Sequence, residues 1–197
     1  MELKVNGNRV DIKLEGEKTI GEVLKAFEEE AAKNNATTIK INLDGKEIPA
    51  EEFDAILKEP VKENTVLDLT VISGDDISAT FKSCAKEFTN LSASLKELSV
   101  MLQSGKEKDA NIIIHTFAAQ IDRFCHAATL SALFPEIYNK LKIDKKDVAS
   151  FFQEFAPLLA DFEKALEEKD TVTIGDLAEY EISPRIDMII KATEVFN

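Results

Sequence analysis

The chain has 197 residues, 44% of them apolar and 31% charged, with 24 Lys and Arg against 37 Asp and Glu, for a formal charge of −13. This is the balance of a globular, water-exposed protein, and its negative charge repels both a phosphate backbone and an anionic bilayer, so neither nucleic-acid nor membrane partners are expected. No run reaches the roughly 18 consecutive apolar residues of a membrane-spanning helix, and the first residues lack the apolar core of a signal peptide, so a cytoplasmic location is expected.

Residues 1–73 alternate in the manner of strands. Leu3 and Val5, then Val10, Ile12 and Leu14, sit two apart on either side of the turn-forming Asn6-Gly7-Asn8-Arg9, which predicts a β-hairpin closed by Gly16. From Thr19, a capping residue, Ile20, Val23, Leu24, Phe27 and Ala31 recur at three- and four-residue steps, which predicts an amphipathic helix ending at Asn34-Asn35. Ile39, Ile41 and Leu43 form a strand, Asp44-Gly45 a turn, and Ile48 lies on a short return strand. A brief helix over Glu51 to Leu57, stopped by Pro60, leads to a last buried strand over Val66 to Ile72.

The order strand, strand, helix, strand, short strand, short helix, strand resembles the ubiquitin-like β-grasp fold over residues 1–73. Its most specific stretch is Ile41-Asn42-Leu43-Asp44-Gly45-Lys46-Glu47-Ile48, which is similar to ubiquitin's strand, Gly-Lys turn and return strand. Conjugated members of that family need a free C-terminal Gly-Gly whose carboxylate is adenylated. Here the last strand runs through Ser73-Gly74 into further chain, and Asn42 stands where ubiquitin has a central apolar contact. The resemblance therefore implies a fold, and not that chemistry or that binding patch.

After a boundary at Ser73-Gly74-Asp75 the period becomes helical through Asn197. Phe81, Cys84, Phe88, Leu91, Leu95, Leu98 and Leu102 predict a first helix ended by Ser104-Gly105. A second runs from Asp109 to Phe134, with Ile113, Phe117, Ile121, Phe124 and Ala128 on one face. Asp144 is expected to cap a third, rich in phenylalanine from Phe151 to Phe162. A fourth starts at Asp170 or Thr173 with Ile174, Leu177, Met188 and Val195 on its stripe. Short connections favour antiparallel neighbours, so the expected architecture is α+β: a β-grasp domain over 1–73 and an antiparallel four-helix bundle over 75–197. Cys84 and Cys125 fall inside the apolar stripes and read as buried thiols, with neither a disulfide framework nor a CxxC motif.

Signatures of catalysis are sparse. No P-loop or nucleophile-elbow spacing occurs, and no cofactor is expected. His115, Asp122 and His126 align on a helical wheel opposite the phenylalanine face, a pattern that allows a metal site but reads first as a solvated face. Glu181 falls near the apolar stripe of the fourth helix, where it needs a partner; Arg185, one turn later, is the first choice, and the pair is expected to be largely buried. The acidic runs Glu28-Glu29-Glu30, Glu51-Glu52 and Glu167-Glu168 read as solvated faces that a basic protein could meet. The leading expectation is a non-catalytic protein-interaction module of adaptor or chaperone type, with other proteins as partners. The alternatives are a metal protein or enzyme built on His115, Asp122, His126 or Glu181, and a protein that self-associates through its bundle.

Overall fold

The computed structural model describes residues 1–11 and 16–196. It is a mixed α+β chain with an N-terminal five-stranded sheet and a helical remainder, resolving into compact units Met1–Asp76 and Ile77–Asn197.

In the first unit, β1 (Glu2–Val5) and β2 (Asn8–Val10) form the expected hairpin. Asn6 and Gly7 both have positive φ, the backbone a two-residue turn of this twist requires. Ile12 and Leu14, also assigned to that hairpin, lie outside the described residues. Helix α1 (Ile20–Lys33) starts at a capping box: the Thr19 hydroxyl accepts from the Glu22 N–H, and the Glu22 carboxylate accepts from the Thr19 N–H. Then come β3 (Ala36–Leu43), the two-residue β4 (Lys46–Glu47), a 3₁₀ turn (Ala50–Glu52), α2 (Phe53–Ile56) and β5 (Val66–Ser73).

The sheet order is β2-β1-β5-β3-β4, with β1 and β5 parallel at its centre and the other neighbours antiparallel. Alternation along the strands sends Leu3, Leu67 and Leu69 to one face, where they meet Ile20, Val23 and Leu24 of α1 and Ile56 of α2. β4 pairs with β3 only at Asn42 and Leu43, so among the described residues the Ala36–Lys40 half of β3 has no strand partner on its outer side. That half also holds an irregularity between Thr38 and Lys40.

The second unit contains α3 (Gly74–Lys96), α4 (Leu98–Gln103), α5 (Glu107–Ser131), α6 (Pro135–Tyr138), α7 (Val148–Glu168), α8 (Thr171–Asp176), a π-helical turn (Leu177–Ile182), α9 (Ser183–Thr193) and a closing 3₁₀ turn (Glu194–Phe196). Its core is aromatic: Phe81, Phe88, Phe124 and Phe155 are fully buried, and Phe81 lies 5.4 Å from Phe124 and 5.1 Å from Phe196.

Three sequence expectations are corrected here. The first predicted helix breaks at Glu97 into α3 and α4. Asp144 does not cap the third; it has positive φ in a turn closed by Ile143 and Lys146, and Asp147 caps α7 by accepting the Ser150 N–H at 2.7 Å. The fourth helix is not one stripe, because Pro184 has no N–H to offer and the preceding turn widens, the Ser183 N–H reaching back five residues to the Ala178 carbonyl. The extra residue rotates the remainder of the helix, so Ile182, Ile186 and Ile189 are buried whereas Met188 and Val195 are exposed. Among the described residues, no helix is long and apolar enough to cross a membrane.

Candidate functional site

The predicted metal ligands all lie on α5, and His115, Asp122 and His126 are all exposed. The structure does not gather them. At 1.5 Å rise per residue, the eleven steps from His115 to His126 span about 16 Å of helix axis, too far for one ion. Among the described residues, no group of three His, Cys, Asp or Glu side chains could hold a metal.

Glu181 and Arg185 do meet. The Arg185 Nη1 donates at 2.8 Å to both the Glu181 carboxylate and the Glu181 carbonyl oxygen, and the guanidinium lies 6.0 Å from the centre of the Phe155 ring. The side chains are 45% and 28% exposed, so the expected largely buried pair is instead a half-exposed surface pair. The widened turn before Pro184 accounts for this: it swings Glu181 outward while Ile182 enters the core.

Sequence reasoning missed two polar clusters. In the first, Ser92 of α3 donates to Asp187 of α9 at 2.7 Å and lies 3.0 Å from the Ser183 hydroxyl, while Lys96 sits 3.6 Å from the second Asp187 oxygen. Ser92 is 6% exposed and Ser183 fully buried, so the cluster ties two helices together and offers no accessible nucleophile. The thiols are equally unsuited to attack at neutral pH. Burial raises the pKa of Cys84, and burial followed by the Asp122 charge pushes that of Cys125 up to about 11.

The second cluster belongs to a groove. Between α1, the outer side of β3 and the segment after β4 lies a cavity of about 380 Å³ walled by Leu24, Ile39, Ile41, Ile48, Pro49 and Phe53. Phe53 is 39% exposed at its rim. Glu28 spans the groove's polar side, its carboxylate accepting from the Thr37 hydroxyl at 3.0 Å and from the Thr38 N–H at 2.9 Å. Thr38 also lines the groove, and its hydroxyl oxygen is buried without a hydrogen-bond partner among the described residues. Glu28 thus departs from the solvated acidic face expected of residues 28–30. The signal was present in the spacing: it falls four residues after Leu24 and three before Ala31, on the buried stripe of α1.

The arrangement can bind and does not suggest a reaction. It joins an apolar trough, an exposed aromatic, a strand edge and a carboxylate already used in hydrogen bonds, with no nucleophile and base in register.

Residues 1–73 match the family described as TP0873 N-terminal domain, and residues 79–192 match a domain of unknown function, DUF8042. The chain is 32% identical over 184 residues to an uncharacterized protein of Treponema pallidum (strain Nichols), covering 93% of this chain and 92% of that one. No solved structure matches it. The match over residues 79–192, together with the near full-length similarity to the treponemal protein, shows that the chain belongs to the DUF8042 family, with a TP0873 N-terminal domain preceding that region.

Proposed function

We propose that this is a cytoplasmic, non-catalytic protein-interaction module of adaptor or chaperone type, whose N-terminal unit is a ubiquitin-like β-grasp domain and whose helical unit is an antiparallel four-helix bundle. The sheet order, with parallel β1 and β5 central and one helix across the apolar face, supports the β-grasp reading. The long helices α3, α5 and α7 with the segmented α8–α9 support the bundle.

The observation that carries the interaction reading is the open half of β3 beside the groove. An extended peptide laid along Ala36–Lys40 would add a strand and place alternate side chains over Leu24 and Phe53. The net charge of −13 and the neighbouring acidic runs favour a basic partner.

Selection of displayed peptides on the full chain tests this. Extended sequences with β-branched and basic residues are expected, and Phe53→Asp should weaken their binding at least about tenfold while Val100→Asp, at an exposed apolar position elsewhere, leaves it unchanged. Recovery of no binding peptide, or binding indifferent to Phe53→Asp, overturns the reading.

A further inference from the structure

The open half of β3 already has one occupant. Thr38 pairs across the sheet with Val71 of β5, and the N–H and C=O of Val71 are both taken by the side chain of Asn6, which follows β1, at 2.9 and 3.1 Å. In an antiparallel ladder, opposite residues turn their main-chain groups either both toward each other or both away. Thr38 therefore points its N–H away from β5, to the edge that β4 does not reach. There the Glu28 carboxylate accepts it at 2.9 Å, while the other carboxylate oxygen accepts the Thr37 hydroxyl at 3.0 Å. A side chain of α1 thus stands where the carbonyl of a neighbouring strand would stand, and an edge covered in this way resists pairing. Further along β3 the Ile41 carbonyl accepts the Ile48 N–H at 2.9 Å, so an added strand is confined to the stretch that includes Thr38.

Charge says what kind of strand could take that place. Glu28 is half-buried, and among the described residues no Lys or Arg forms an ion pair with it. Lys40, which lines the same groove, lies 3.7 Å from the Glu47 carboxylate instead. A carboxylate can accept about four hydrogen bonds, and this one holds two, so it has room for a further donor. A strand that offers its own carbonyl to the Thr38 N–H releases Glu28 beside the apolar walls of the groove, where an unpaired charge is costly. A cationic side chain on the entering strand removes that cost with a charge-assisted hydrogen bond.

Resting on the interaction reading above, we propose that Glu28 locks the edge of β3, and that a partner enters as an extended strand whose carbonyl displaces it from the Thr38 N–H and whose Lys or Arg pairs with the displaced carboxylate. The wild-type full chain and its Glu28→Gln and Glu28→Ala variants test this against two displayed libraries of short linear peptides, one unrestricted and one without Lys and Arg. Gln keeps an oxygen for the Thr38 N–H and loses the charge, whereas Ala removes the lock. Peptides without Lys or Arg should bind Glu28→Ala at least about tenfold more tightly than wild type, and Glu28→Gln no better than wild type. Peptides selected on the wild type should carry a basic residue and bind Glu28→Gln at least about tenfold more weakly. Amide hydrogen exchange reads the lock directly: Thr38 should exchange faster in Glu28→Ala than in the other two chains, while the amides of β5 stay slow in all three and show the sheet intact. Neutral peptides that bind wild type and Glu28→Ala equally, or a Thr38 amide equally slow in both, overturn the proposal. Selected peptides that depend on Phe53 and not on Glu28 overturn it too, and leave the interaction reading standing. Recovery of no peptide by any of the three chains overturns both.

Discussion

An ion pair on a helix surface contributes a few tenths of a kcal/mol, because water screens it and two long side chains must be held still. Glu181 and Arg185, at 45% and 28% exposure, belong to that class despite their 2.8 Å contact. Glu181→Ala should therefore cost about 0.5 kcal/mol or less in a urea melt. Ser92→Ala, which removes a buried hydroxyl bonded to Asp187, should cost about 1–3 kcal/mol. A loss on Glu181→Ala as large as on Ser92→Ala would mean that the surface pair is more constrained than its exposure implies. The partner of Glu181 was readable from the sequence because an i,i+4 pair is a local property. Its exposure was not, since it depends on the turn that Pro184 widens. Ser92 and Ser183 are 91 residues apart, and nothing local announces such a contact. Thr38→Val has the opposite sign: removing a buried hydroxyl that has no partner among the described residues should raise stability by about 1 kcal/mol, read as a higher urea midpoint.

At the scale of elements, the strands and long helices were readable because their period is written in the apolar residues, whereas their ends depend on which neighbouring side chain reaches the free N–H groups. Asp144 and Asp147 are both plausible caps by residue type; the turn between Ile143 and Lys146 decides in favour of Asp147. The caps also titrate. Hydrogen bonds from backbone N–H groups hold Glu22 and Asp147 below the ordinary carboxylate range, and bonds from the Thr173 hydroxyl and N–H do the same for Asp170. A carboxylate whose folded pKa is depressed contributes stability that is present above its unfolded pKa, near 4, and is lost as pH falls through the lower folded value. Melting temperature should fall between about pH 4 and 2, and Asp147→Asn with Asp170→Asn, which keep a capping oxygen but cannot ionise, should flatten that fall. An unchanged slope would show that the caps do not govern acid unfolding. Packing between α4 and α8 depends on Gly175, where an added Cβ would lie 2.4 Å from the Ser99 Cβ. Gly175→Ala should cost about 1–3 kcal/mol, read as a lower urea midpoint. The sequence shows the glycine but not the helix that crosses it.

For the molecule as a whole, the change of period at Gly74 predicts a boundary between two units, and the chain at that point is hydrogen-bonded. Helix α3 begins at the residue after β5 ends. Ser73 and Asp76 cap its start reciprocally: the Asp76 carboxylate accepts from the Ser73 N–H at 2.9 Å and hydroxyl at 2.6 Å, and the Asp76 N–H donates back to the Ser73 hydroxyl at 3.1 Å. The Gly74 N–H is also taken, by the Asn35 carbonyl at 2.9 Å. A protease must draw an extended segment into its active site, so it cuts where backbone bonds are few and side chains exposed. The segment over 139–147 buries Leu141 and Ile143 and closes a turn between Ile143 and Lys146, but it runs outside the helices between α6 and α7 and exposes Asn139, Lys140, Lys142, Asp144 and Lys145, so it offers a longer accessible stretch than 73–76 does. Limited digestion with a protease of broad specificity should therefore release first fragments ending within 139–147, identified by intact mass, before any cut at 73–76. Asp76→Ala, which removes the reciprocal cap, should bring the 73–76 cut forward in time. A first cut at 73–76 in the wild-type chain would show that these hydrogen bonds open readily at the boundary that the change of period predicts.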